Sequence, residues 1–337
     1  MALLAAACAG REAGPRWLKG QTHVHSGNSG DSRTPPEEVA RWYAARGYDF
    51  IVLTDHNRVT RLPPGPAGAL LVLPGVELTQ NLETCDPAPE PGLPCLLHVN
   101  ALVLAEPRAD HPPWRPTGSP RRVDLYRSAI DEAHRLGGIA QINHPNLAFG
   151  AADPALLAEL ARHGAALVEI ANMAFDSLNQ GDAAHPSVEA LWDAALTQGV
   201  TLWGVASDDA HHYADAEAAR ARGEPVFTGD RGFVMVRARR EAAAIRAALA
   251  RGEFYSSTGV LLERAEAAGG ALVVAVAAGS PGPHRFTFVG PGGKVLAEAD
   301  GREARFELAA APAPGYVRAV VTDGTGRKAW VQPVPAR

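Results

Sequence analysis

At 337 residues, with 46% hydrophobic and 20% charged residues, the chain suits one large barrel-type domain, alone or with a small second one, and global disorder is excluded. A net charge of −5 argues against a protein that coats nucleic acid or an anionic membrane. Anionic small substrates stay open, because metal ions supply local positive charge. No apolar run reaches the roughly 20 residues needed to span a bilayer.

Residues 1–16 read in two ways. MALLAAACAG places Cys8 where a lipoprotein signal would be lipidated, which implies a periplasmic or lipid-anchored protein; a frayed terminus of a cytoplasmic protein is the other reading. Cys85 and Cys95 bear on the same choice. In an exported protein they pair as a disulfide; in a cytoplasmic one they stay free thiols, and the absence of a CxxC partner disfavours a metal role.

From residue 17 to about 260, short apolar runs alternate with amphipathic stretches. Strands are expected at Gly20–His25, Asp49–Thr54, Ala69–Leu78, Leu96–Leu104, Gly138–Asn143, Ala166–Asn172 and Val200–Ser207, and the further apolar run Gly232–Val236 is a candidate edge strand. Helices are expected at Pro36–Ala45, Val123–Leu136, Pro154–His163, Ser187–Gln198 and Ala242–Arg251, the first with Thr34 as its cap. This alternation predicts parallel strands joined by crossover helices, hence an α/β barrel. After residue 260, six short strand-like runs separated by turns such as SPGP, GPGG and TDGTG predict a small antiparallel β-sandwich over 261–337.

Histidines and carboxylates recur at the ends of these apolar runs. His23 and His25, at i and i+2 of an extended segment, face the same way and can grip one ion. Asp31 follows. Then come Asp55 and His56, Glu77, His98, His144, and Asp208, Asp209, His211 and His212. Each motif alone is weak: an HxH occurs by chance, and a lone strand histidine such as His98 usually packs in a core. Their joint occurrence is the signal, because strand ends of an α/β barrel converge on one face. Six of the twelve histidines stand where a metal cluster would need them.

HVHSGNSGD, LTDHN, PGVEL, HVNAL, INHP and SDDAHH, in this order, resemble the polymerase and histidinol phosphatase (PHP) family over residues 17–260. The DDAHH form, RGEFYSSTG and YVRAVVTDGTGRKAW are similar to its carbaryl-hydrolase-type branch. The resemblance implies a distorted (β/α)7 barrel with two to three divalent metal ions. It implies a first ion on His23, His25, Glu77 and Asp209, a second on Glu77, His98 and His144, and a third on Asp31, His56 and His211.

Mixed imidazole and carboxylate ligands favour Zn, Mn or Fe over Mg or Ca. A bound Zn²⁺ lowers the pKa of its water to about 7, and two ions roughly 3.5–4 Å apart share the resulting hydroxide. Glu77 suits the bridging role. Asp55 is expected to orient an imidazole and His212 to protonate the leaving group, with a rim position of no role as the alternative for His212. Ser207 lacks a GxSxG setting and reads as structural. Asn57, Asn146 and Asn172 read as loop caps or substrate contacts. Arg121, Arg122 and Arg127 read as a phosphate clamp or an exposed polar face.

These residues predict a metal-dependent hydrolase of small ester substrates, phosphoesters first, with aryl carbamates or carboxylic esters as the alternative. A metal-stabilised binding protein without catalysis is the rival from another class. The expected partner is a small molecule, with no nucleic acid.

Overall fold

The computed structural model describes residues 14–65, 69–105, 114–147, 153–174 and 176–336. Cys8 and His111 lie outside the described residues.

The strands are β1 (Arg16–Gln21), β2 (Phe50–Leu53), β3 (Leu71–Pro74), β4 (Val76–Leu82), β5 (Cys95–Leu102), β6 (Ile139–Ile142), β7 (Leu167–Asn172), β8 (Trp203–Ser207), β9 (Phe233–Ala238) and β10 (Phe254–Ser257), followed by β11 (Leu262–Ala268), β12 (Ala271–Val276), β13 (His284–Gly290), β14 (Lys294–Asp300), β15 (Glu303–Glu307), β16 (Tyr316–Asp323) and β17 (Lys328–Pro335). The helices are α1 (Pro36–Ala44), α2 (Arg122–Arg135), α3 (Pro154–Arg162), α4 (Asp176–Asn179), α5 (Val188–Thr197), α6 (Ala216–Ala221) and α7 (Ala242–Ala250). Pro35, not Thr34, holds the cap position of α1, which has no side-chain cap.

The fold is mixed α/β, but the strands form open sheets and not one closed barrel. A five-stranded sheet runs β4-β5-β6-β7-β8, and a nine-stranded sheet runs β14-β13-β16-β17-β10-β9-β1-β2-β3. The expected single strand Ala69–Leu78 is divided at Gly75, where the chain passes from one sheet to the other. A Cβ there would meet Val52 Cγ1 at 2.6 Å and the Leu53 and Ala101 carbonyls at 3.0 Å, so glycine is required. The other seam is held by Ser256 Oγ and Gln332 Nε2, both donating to the Gly204 carbonyl at 2.8 Å.

Nor are the strands all parallel. β5 runs antiparallel to both β4 and β6. The reason is local: no helix lies between Leu82 and Cys95, and a strand that returns without a crossover must pair antiparallel. The turn carries the disulfide Cys85–Cys95. The reversal brings the first half of β5, including His98, to the end of the sheet where β6–β8 finish.

Helix α2 buries Leu125, Tyr126, Ala129, Ile130 and Ala133, the i, i+3, i+4 stripe of an amphipathic helix, against Val99, Ala101 and Ile142. α3 and α5 add Leu157, Leu160, Leu191 and Trp192 to the same layer, and α7 covers Val234 and Val236. The nine-stranded sheet runs across residue 260, since β10 pairs with both β9 and β17. A three-stranded sheet, β11-β12-β15, covers its far half around Phe286, Phe288, Phe306 and Val274. A buried ion pair ties the tail to α5: Arg318 grips Asp193 with Nε–Oδ1 2.7 Å and Nη2–Oδ2 2.6 Å, and Tyr316 donates to Oδ1 at 2.7 Å. Among the described residues no helix is long and apolar enough to cross a membrane.

Candidate metal centre

β1 ends at Gln21, so His23 and His25 lie just past it in an extended segment pinned by a bridge from Val24 to Ala210. Alternation survives there. Val24 turns into the core, and both imidazoles bring Nε2 to 3.2 Å from Asp209 Oδ1. Glu77 enters as the second residue of β4, where its backbone bridges His56. His144 and Asp209 have φ of 26° and 49°, a left-handed conformation that costs non-glycine residues about 1–3 kcal/mol and concentrates at functional sites.

All nine expected ligand residues fall into three groups: His23, His25 and Asp209; Glu77, His98 and His144; and His25, Asp31, His56 and His211. Within each group, the candidate ligand atoms lie within 4.8 Å of one another. Five imidazoles surround Glu77. Its Oε1 lies 3.3 Å from His23 Nε2, 3.1 Å from His98 Nδ1 and 3.5 Å from His144 Nε2; its Oε2 lies 3.5 Å from His25 Nε2 and 2.8 Å from His56 Nδ1. Asp31 Oδ2 bridges His56 Nε2 at 2.9 Å and His211 Nε2 at 3.1 Å.

Among the described residues, two buried imidazole nitrogens at the centre, His23 Nε2 and His25 Nε2, have no hydrogen-bond partner of good geometry. Leaving such atoms unpaired in a protein interior costs about 1–3 kcal/mol each. Both imidazoles are held from behind, His23 Nδ1 by Glu169 Oε1 at 2.7 Å and His25 Nδ1 by Ser29 Oγ at 2.8 Å. A carboxylate only accepts, so His23 carries its proton on Nδ1 and turns the Nε2 lone pair inward, the arrangement of a metal-ligating histidine. The donor set therefore fits divalent cations.

The electrostatics agree. Burial alone would raise the Glu77 carboxyl, yet His98, His23 and His56 hold it well below the usual carboxylate range. Burial likewise opposes ionisation of Asp209, and the adjacent His23 and His25 hold it ionised. Burial and the neighbouring His211 push His25 down to about 3, leaving a neutral imidazole. Asp209, Glu169 and Glu77 raise His23 well above its ordinary value despite burial, so its inward Nε2 attracts a cation, a proton wherever a metal ion does not take that place. The cluster draws positive charge.

The groups open into a cleft of about 410 Å³, lined on the ligand side by Asp31, His56, Glu77, His98 and His211. Leu96, Leu147, Pro225 and Phe227 supply an apolar wall. Arg121, Arg122 and Arg127 do not line it. Arg121 and Arg127 face Asp124 and Glu159, and Arg122 Nε meets Cys85 Sγ at 3.1 Å.

The chain is similar in structure to a two-domain protein from Bacteroides vulgatus containing a predicted PHP-like metal-dependent phosphoesterase. The TM-score is 0.47 and the identity 17%, over 94% of this chain and 95% of that one. No family model and no curated protein matches the chain.

One expected role needs correction. Asp55 does not orient an imidazole. Its carboxylate accepts from the Ser26 amide at 2.6 Å, the Ser26 hydroxyl at 2.8 Å and the Thr60 hydroxyl, so it fastens the loop after His25. His212 lines the cleft, where the Phe227 amide donates to its Nδ1 at 3.3 Å.

The residue missed in the sequence is Glu169. Buried in the middle of β7, it accepts from His23 Nδ1, from Ser207 Oγ at 2.5 Å, from the His144 amide at 2.6 Å and from Asn172 Nδ2 at 2.9 Å. Asn172 also donates to Asp209 Oδ2 at 3.1 Å. Glu169 thus links three of the expected ligands. Its signal was available: it is the single charge in LVEIAN, a strand buried at every position. Asn146 and Asn57 tie loops through the Leu178, Pro186 and Thr79 backbone, as loop caps do.

Proposed function

We propose that the chain is a metal-dependent hydrolase of small ester substrates, phosphoesters first. The observation that carries this reading is the convergence of five imidazole nitrogens within 3.5 Å of one buried carboxylate, with those of His23 and His25 unpaired. A site built only for stability would not leave them so.

His23, His25 and Asp209 would hold one ion, His98 and His144 a second, with Glu77 between them; Asp31, His56 and His211 would hold a third. Divalent ions there would supply Lewis acidity and a water acidified to a pKa of about 7. The chain's own part is positional. Glu169 fixes the His23 tautomer, and Asn143 Nδ2 donates to Glu77 Oε1 at 2.8 Å and sets its rotamer. The His98–Asn81 hydrogen bond, Nε2 to Oδ1 at 2.8 Å, turns His98 Nδ1 toward Glu77. The ligand set suits Zn, Mn or Fe.

The apolar wall of Leu96, Leu147, Pro225 and Phe227 favours a second reading on the same ions, hydrolysis of aryl carbamates or carboxylic esters. The Cys85–Cys95 disulfide supports an oxidising compartment such as the periplasm.

The test is a panel of p-nitrophenyl phosphate, bis-p-nitrophenyl phosphate, an aryl acetate and an aryl carbamate, each before and after chelation. Turnover that a chelator abolishes and added metal restores is expected, with the phosphates fastest. Faster carbamate turnover selects the second reading. No turnover of any substrate by metal-loaded protein would leave a binding protein as the better account.

A further inference from the structure

The cleft has one corner unlike the rest. Among its described lining residues, Arg33 is the one that carries a guanidinium or ammonium group. It projects from the loop that also carries Asp31. That loop is anchored on both sides: Ser32 Oγ donates to the His211 carbonyl at 2.7 Å, and the Gly27 amide donates to the Thr34 carbonyl at 2.7 Å. Arg33 therefore stands on a fixed base, with its side chain in solvent at the mouth.

Its partner is already engaged elsewhere. Glu224 is gripped by Arg222 through two parallel bonds, Nε–Oε1 and Nη2–Oε2, both 2.8 Å. Arg33 reaches the same carboxylate with Nη2 alone, at 3.3 Å to Oε1. A guanidinium has five N–H donors in a fixed fork, so this single long contact leaves most of its capacity for an incoming anion. Next to it, Pro225 and Phe227 form an apolar wall against His211 and His212.

We propose that Arg33 is a specificity-determining residue, and that the preferred substrate is an ester whose organic part is apolar and ends in a second anionic group, a carboxylate or phosphate. The ester would face the ligand groups, the apolar part the Phe227 wall, and the second anion Arg33. Glu224 competes with that anion and sets how strongly it is held. This rests on the hydrolase reading above but concerns a residue outside the metal centre.

The experiment is calorimetric titration of zinc-loaded protein with phenylphosphonate and with para-carboxyphenylphosphonate, which need no turnover. Wild type is expected to bind the carboxylated probe about fivefold more tightly, the range of an exposed ion pair. Arg33→Gln removes the preference, and Glu224→Gln enlarges it. Added salt weakens it, because the pair is solvent-exposed. Equal affinities in wild type, or a preference that survives in Arg33→Gln, would overturn the proposal. A preference that behaves as described in a protein that hydrolyses no ester would retain Arg33 as an anion contact and remove the hydrolase.

Discussion

Replacing Glu77 by Gln is expected to lower kcat/KM by far more than the roughly 10–100-fold that loss of an outer-shell partner costs. The amide keeps the shape, so the fold should persist, and circular dichroism should match wild type. What changes is charge. Both Glu77 oxygens face imidazole nitrogens, three near Oε1 and two near Oε2. An amide offers one acceptor where a carboxylate offers two, and its NH2 would point at lone pairs meant for cations. Bound metal should fall together with turnover. A folded Glu77→Gln protein with wild-type metal content and turnover would remove Glu77 from the centre.

The second large effect lies far from the cleft. Asp193→Ala is expected to lower the unfolding free energy by about 3–5 kcal/mol, because it leaves the Arg318 guanidinium buried without its bidentate partner. Glu189 remains at 3.5 Å from Arg318 Nη2 and is already paired with Lys328 Nζ at 2.7 Å, so it compensates little. Arg318 lies on β16, inside the nine-stranded sheet that also contains β1. The destabilisation should therefore reach the whole chain, as one shifted denaturant transition. A shift below about 1 kcal/mol, the worth of a surface pair, would show that the tail is not coupled to α5 in this way.

Much of the site was legible because its residues stand at the ends of apolar runs. His56, His144 and Asp209 follow strand-like segments directly, and three-dimensional convergence followed from the strand alternation. What stayed hidden was what local patterns do not encode. Glu169 lies inside a strand rather than at its end, where a charged residue reads as an interruption of the apolar run and not as a support for His23 and His144. Asp55 was misread because adjacency to His56 suggested contact, while consecutive residues of an extended chain point apart. The open sheets were missed for a third reason. A continuous apolar run, Ala69–Leu78, hides a change of sheet that depends on how closely Val52 and Ala101 approach Gly75. The reversal of β5 required noticing that no helix fits between Leu82 and Cys95.

The central claim is that the nine converging side chains hold divalent ions. Elemental analysis of protein purified without chelator, repeated after dialysis against one, tests it most directly. The account predicts two to three equivalents of Zn, Mn or Fe, removed by the chelator and restored on metal addition. Protein that carries no metal as purified and takes up none from solution would contradict it.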